Sequence, residues 1–371
     1  MDGFDGHPPA PPNPESLRDG GVSPFPHGVP LAKGGLLSYP TQRVVELNYL
    51  RLNNHSLNSL PQFKSAPWCL NGHVHTVLSS ILFEPAYVNY KRTVIDTPDG
   101  DFLNLDLLET DEHAPVVILL HGLEGSSKRY YVQNLAHHLL QSGYNIIALN
   151  FRSCGGKLNN TRTFYHSGET EDLRNVCTWA KNRFSDSPIF AAGYSLGGSV
   201  LLNYLKKYGA DSIIESFVAV SVPYDLYRGS LNLQKGINRL YDYRFLRTLK
   251  KKLKLKRRVF SDLPVFTGST LYEFDDQVTA PLHGFEDARD YYTRCSSAFF
   301  MHRIDTPGLL IHSREDPLCP FEFTPHEAIE ENPNLTTAFP ERGGHVGFWS
   351  LPPGWVELTA EYYFDAQRSR L

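Results

Sequence analysis

The sequence predicts an α/β protein with a mostly parallel central sheet, helices on both faces and an inserted helical lid. Three observations predict it. From residue 115 onward, short apolar runs alternate with helix-length amphipathic segments, the pattern of βαβ units. Before that point, two alternating stretches flank Thr97-Pro98-Asp99-Gly100, whose Asp-Gly pair suits a tight reversal between antiparallel strands. Later, a tyrosine- and lysine-rich excursion breaks the rhythm, as an insertion between two strands does.

Taken in order, residues 1–35 are rich in Pro, Gly and Asp with few large apolar side chains, and predict a disordered tail that cannot offset the entropy of ordering. Residues 36–86 predict a covering segment with a short helix over 75–83. The hairpin occupies 91–109. Candidate strands follow at 115–120, 144–150, 189–193, 213–220, 308–312 and 335–339, with helices between the first four at 130–141, 169–184 and 197–207. Right-handed crossovers place those helices on both faces of the sheet. Residues 227–304 are the predicted lid, which leaves 87–226 and 305–371 as the core.

Composition excludes several classes. With 41% hydrophobic and 20% charged residues the chain can bury enough apolar surface to fold, and one core plus an insertion accounts for 371 residues. A net charge of −4, without zinc-finger spacing or an RNP-type aromatic motif, argues against nucleic acid as a partner. Five cysteines, widely spread and with no Cys-x-x-Cys pair, fit a reducing compartment. The amino terminus lacks a basic start and an apolar h-region, and no apolar run approaches the roughly 18 residues of a membrane helix. A cytoplasmic protein is expected.

Gly193-Tyr194-Ser195-Leu196-Gly197 has the pattern of a nucleophile elbow, in which a serine sits on a strained turn between strand and helix. Context gives the pattern its weight: an apolar strand ending in Ala191-Ala192 precedes it, and Gly198-Ser199-Val200-Leu201-Leu202 opens an apolar helix. A serine hydroxyl needs a neighbouring base, and histidine has the suitable ordinary pKa. Serine, acid, histidine is the chain order in elbow-bearing folds. That order selects His345, in Arg342-Gly343-Gly344-His345-Val346-Gly347 after the last strand. Asp316 follows the strand ending at His312 and is the candidate acid, with Glu315 its nearest rival and Asp225 a further alternative. Acyl transfer also needs donors for an oxyanion. Leu196 N–H supplies one and Leu123 N–H, in His121-Gly122-Leu123-Glu124-Gly125, the other. His121 reads as a structural hydrogen-bonding residue of that loop.

These residues resemble the YheT-like branch of the α/β hydrolases, relatives of the eukaryotic abhydrolase-domain lipases and short-chain esterases. The resemblance extends through Asn150-Phe151-Arg152, Tyr165-His166-Ser167-Gly168-Glu169, Ser221-Val222-Pro223-Tyr224-Asp225-Leu226 and Ala280-Pro281-Leu282-His283-Gly284-Phe285, and covers roughly residues 65–365. The family often has Asn-Pro-His-Leu-Gln-Thr where this chain has Asn71-Gly72-His73-Val74-His75-Thr76, and Arg-Gly-Cys where Arg152-Ser153-Cys154 stands. The resemblance implies the α/β-hydrolase fold and hydrolysis of carboxylic esters, short-chain esters or monoacylglycerols, with no metal or organic cofactor.

Two other functions compete with hydrolysis: acyl transfer to an alcohol or lipid acceptor, and a non-catalytic scaffold that binds a ligand or partner through its lid. The run Lys250-Lys251-Lys252-Leu253-Lys254-Leu255-Lys256-Arg257-Arg258 suggests either a solvated helix face or peripheral contact with anionic lipid. His73 and His75 lack a third ligand at metal spacing. Asp275 and Asp276 read as structural residues of the lid. Oligomeric state is left open.

Overall fold

The computed structural model describes residues 60–82 and 85–371. The tail expected at 1–35, the first part of the covering segment and Phe83 lie outside the described residues. Within them the covering segment contains helix α1 (Gly72–Leu82), which starts three residues before the helix expected at 75–83.

Strands β1 (Lys91–Asp96) and β2 (Phe102–Leu108) pair antiparallel with Asp96 opposite Phe102. Gly100 closes the turn at φ 79°, a left-handed conformation that glycine adopts without Cβ strain. Six strands follow: β3 (Val116–Leu120), β4 (Asn145–Asn150), β5 (Ile189–Tyr194), β6 (Ser216–Val220), β7 (Gly308–Ile311) and β8 (Leu335–Ala338). The sheet order is β1-β2-β4-β3-β5-β6-β7-β8. β2 joins β4 antiparallel, and every pair from β4 to β8 is parallel. Strand β6 starts later than the expected 213–220. The apolar Ile213 and Ile214 give their amides to the Tyr204 hydroxyl and Ser212 Oγ, so they cannot enter the ladder.

β3 lies at the centre and all five of its residues are buried. Val116, Ile118 and Leu120 face one layer, together with helices α3 (Glu171–Arg183) and α4 (Leu196–Tyr208). Val117 and Leu119 face the other, beneath α2 (Tyr130–Gln141) and the carboxy-terminal helix α8 (Trp355–Arg368). Continuous apolar strands are the signature of a sheet covered on both faces. Between β6 and β7 the chain runs through α5 (Leu226–Leu233), α6 (Arg239–Lys256), a short helical run over Leu271–Leu282 and α7 (Ala288–Cys295). Arg152 ties the hairpin to α3. Its guanidinium bonds Asp172 of α3 at 2.6 and 2.8 Å and also reaches Asp99 and Asp101 at the hairpin turn. Among the described residues no helix is long and apolar enough to cross a membrane.

Phe364 of α8 is fully buried and stacks on Phe190 of β5 with ring centroids 5.3 Å apart. Phe364→Ala removes that contact and leaves a cavity, so it is expected to lower unfolding stability by about 3–5 kcal/mol in urea titration. A loss under about 1 kcal/mol would show that α8 is not part of the cooperative core.

Candidate active site

The five residues expected to form the site lie at the carboxyl ends of β3, β5, β7 and β8. This is where open α/β sheets hold their ligands. Ser195 follows β5 directly and has φ 53° and ψ −120°, a strained conformation for a residue with a side chain. The flanking glycines make the turn possible. A Cβ on Gly193 would stand 2.6 Å from the Gly197 carbonyl oxygen, and one on Gly197 would stand 2.5 Å from the Leu120 carbonyl oxygen. The Ser195 amide donates to the Val220 carbonyl at 2.8 Å, which anchors the turn to β6.

His345 Nε2 lies 2.8 Å from Ser195 Oγ, and its Nδ1 lies 2.9 Å from Asp316 Oδ2. The three side chains therefore form one connected chain of hydrogen bonds. Asp316 Oδ1 accepts the amides of Leu318 and Cys319, each at 2.9 Å, which fixes the carboxylate plane. Burial alone would raise the Asp316 pKa. The charge and hydrogen bond of His345, with lesser help from His312 and the Cys319 amide, outweigh burial and hold it below the ordinary value. Neither rival carboxylate joins this path: Asp225 caps α5 by accepting the Arg228 amide, and among the described residues the buried Glu315 Oε2 has no hydrogen-bond partner.

His121 is fully buried. Its Nδ1–H donates to the Gly122 carbonyl at 2.7 Å and its Nε2 accepts the Phe151 amide, so both nitrogens are used within the loop. Burial pushes its pKa down to about 3, which keeps the ring neutral. Leu123 and Leu196 both border the chamber beside Ser195, and among the described residues neither amide donates to a protein acceptor. The preceding amide, Gly122, is taken by the Tyr131 hydroxyl at 3.1 Å.

Two chambers meet at Ser195, and Leu123, Phe245, Leu318 and His345 border both. The wider, of about 400 Å³, lies between α1 and α6 and is edged by Val77, Ile81, Tyr241 and Arg244. The narrower, of about 120 Å³, runs under the insertion past Leu226, Leu233 and Leu249. It reaches Asp275, which accepts the hydroxyls of Thr279 and Tyr292 at 2.7 Å each and whose pKa burial raises to about 6. Asp276 instead accepts the Ala288 amide.

Sequence reasoning missed the brace on His345. Thr76 Oγ1, on α1, accepts the His345 amide at 2.9 Å and donates to the Gly72 carbonyl at 2.7 Å. Thr76 follows a His-x-His pattern that draws attention elsewhere. His75 binds Ser65 Oγ and the Trp349 amide, while His73 stacks on Tyr241, so the two rings have separate partners. The basic run also divides. Lys252 and Lys256 turn inward, to Glu124 and to the carbonyls of Thr161 and Thr163, while Lys250, Lys251 and Lys254 face solvent.

Among the described residues, two groups of side chains have ligand atoms within 4.8 Å of one another, as a metal requires: Asp316, Cys319 and His345, and His166, Glu169 and His283. The first is committed to Ser195. In the second, His166 Nδ1 accepts the Gly168 amide, so its other nitrogen carries the proton and faces Glu169 at 3.7 Å.

The fold is that of an α/β hydrolase: residues 115–352 match the family described as alpha/beta hydrolase fold. The Escherichia coli (strain K12) protein named "Putative esterase YheT" is 34% identical over 77% of this chain and 88% of its own length. Human "Phospholipase ABHD3" is 30% identical over 81% of this chain and 77% of its own. The chain thus belongs to the α/β-hydrolase family, within its esterase- and lipase-type group. In fold it also matches the solved esterase Pf2001 of Pyrococcus furiosus, with TM-score 0.50 and 22% identity over 76% of this chain and 99% of that one. Est1E of Butyrivibrio proteoclasticus matches with TM-score 0.52 and 15% identity over 75% and 99%.

Two outcomes are expected. Gly197→Ala forces the elbow away from β3 and should lower stability by roughly 1–3 kcal/mol, read as a drop in thermal midpoint. An unchanged midpoint would mean that the close approach relaxes freely. For Asp316, a folded pKa below the ordinary 3.8 means its stabilising contribution is complete above that value and is lost as pH falls through the lower folded one. The midpoint gap between the protein and Asp316→Asn should be constant near neutrality and narrow below about pH 4. A gap that widens on acidification would contradict this assignment.

Proposed function

We propose that the protein hydrolyses carboxylic esters by two-step acyl transfer, with Ser195 as nucleophile, His345 as general base and Asp316 as the orienting acid. The observation that carries this reading is the unbroken hydrogen-bonded path from Asp316 through His345 to Ser195 Oγ. His345 Nε2 takes the hydroxyl proton as Oγ attacks the ester carbonyl, and Asp316 stabilises the imidazolium that forms. The Leu123 and Leu196 amides, with no acceptor among the described residues, receive the charge that develops on the carbonyl oxygen. His345 then protonates the departing alcohol, and water repeats the path to release the acid.

The chambers support a division of the substrate. The narrow, mostly apolar one suits the acyl chain, and the wide one, open beside α1, suits the alcohol. The narrow chamber holds only about 120 Å³, which favours a short acyl group. Short-chain esters or monoacylglycerol-type lipids with short acyl groups are the proposed substrates. The insertion acts as the lid of this site, since Phe245 and Leu249 of α6 wall the chamber above Ser195.

Ser195→Ala is expected to abolish ester turnover while the circular dichroism and thermal midpoint stay close to those of the parent protein. Substantial residual turnover would refute Ser195 as the nucleophile. Across p-nitrophenyl esters of increasing acyl length, kcat/KM should peak at a short chain, and a steady rise to long chains would refute the acyl-side assignment.

A further inference from the structure

Glu124, the residue after the proposed oxyanion donor Leu123, is held from several sides. Its φ of 54° places it in the left-handed region, which a residue with a long side chain keeps only where its surroundings fix it. Its amide donates to the Tyr165 hydroxyl at 2.8 Å, and the same hydroxyl donates to Glu124 Oε1 at 2.9 Å. Lys252 Nζ donates to that oxygen at 2.7 Å, with the Glu124 side chain 5% exposed and the Lys252 side chain 18%. Tyr165 is in turn fixed by stacking on Phe151, with centroids 5.1 Å apart and planes 6° from parallel. Lys252 also lies 3.2 Å from Cys154 Sγ, in the loop after β4. Lys252 sits on α6, in the insertion, so an ion pair sheltered from water joins the insertion to the loop that carries the oxyanion donor.

We propose that Lys252 is a positioning residue for catalysis: by pairing with Glu124 it holds the 122–124 turn so that the Leu123 N–H is aimed at the oxyanion only while α6 is seated against that loop. The inference rests on the ester hydrolysis proposed above. A donor aimed beforehand stabilises charge that exists only in the transition state, so loosening it slows the chemical step and leaves ground-state binding alone. The wide chamber lies between α1 and α6. Displacement of α6 to admit a larger substrate would therefore also release the donor, and the site becomes competent again when the helix returns.

The test compares the parent protein with Ser195→Ala, Lys252→Met, Lys252→Arg, Glu124→Gln and Lys254→Met, the last an exposed lysine of the same helix. With a short p-nitrophenyl ester, Lys252→Met should lower kcat roughly 10- to 100-fold with KM within about threefold. Lys252→Arg should recover most of the loss, because it restores the cation, and Lys254→Met should match the parent. Affinity for phenylboronic acid, whose tetrahedral adduct on Ser195 places an anionic oxygen between the two amides, should fall with kcat in Lys252→Met. A kcat within about twofold of the parent, a loss carried mainly by KM, an unchanged boronate affinity, or no recovery by arginine would each overturn the proposal. Should Lys252→Met fail to fold, Glu124→Gln decides in its place: reduced kcat at constant KM supports the proposal, and parental kcat overturns it. Turnover retained by Ser195→Ala would overturn the hydrolytic reading together with this one. A parental Lys252→Met beside an inactive Ser195→Ala would overturn this one alone.

Discussion

The site depends on the close approach of three backbones, at the end of β5, the start of α4 and the end of β3. Neither Gly193 nor Gly197 has room for a Cβ, so the turn between them cannot relax, and Ser195 is left at φ 53° with its hydroxyl outward. Because Gly197 is pressed against the Leu120 and His121 carbonyls, the serine and the loop after β3 are located by the same contact. The register of β3 with β5, Leu120 opposite Gly193, sets the distance between them. Strain at the serine is therefore a property of the sheet, and the buried strands supply the rigidity that maintains it.

The insertion contributes more than a cover. Its helix α6 has an outer row of solvated lysines and an inner row that enters the body of the protein at two places. Lys256 is almost wholly buried, and burial lowers its pKa to about 7, although its ammonium donates to the carbonyls of Thr161 and Thr163. Lys252 meets Glu124 one turn earlier. A run of like charge in the sequence thus becomes, by helical spacing, two internal anchors and an exposed basic edge.

The strands were legible because a sheet covered on both faces needs uninterrupted apolar segments, and 115–120, 144–150 and 189–193 are such segments. The elbow was legible for a related reason: a steric requirement two residues to either side of the serine leaves glycine at both places. His345 and Asp316 followed from chain order, although their distances to each other and to Ser195 are set by loops whose course the sequence does not reveal. Thr76, Tyr131 and Lys252 were not legible. Each acts through a partner distant in the chain, Thr76 on His345 most of all, and a threonine, tyrosine or lysine in a helix has no local mark of that use. Helix α8 escaped notice although its buried positions, including Trp355, Val356, Ala360, Tyr363 and Phe364, repeat with helical spacing.

The brace from α1 and the seat of α8 bear on how the molecule can be divided. The segment recognised as the family domain, 115–352, begins after Thr76 and the whole β1–β2 hairpin and stops before Phe364. A fragment trimmed to those limits would expose the flank of β4, uncover one layer of the core and leave the histidine loop unsupported. The autonomous unit of folding is therefore broader than the homology that identifies it, and expression boundaries belong outside both flanking helices.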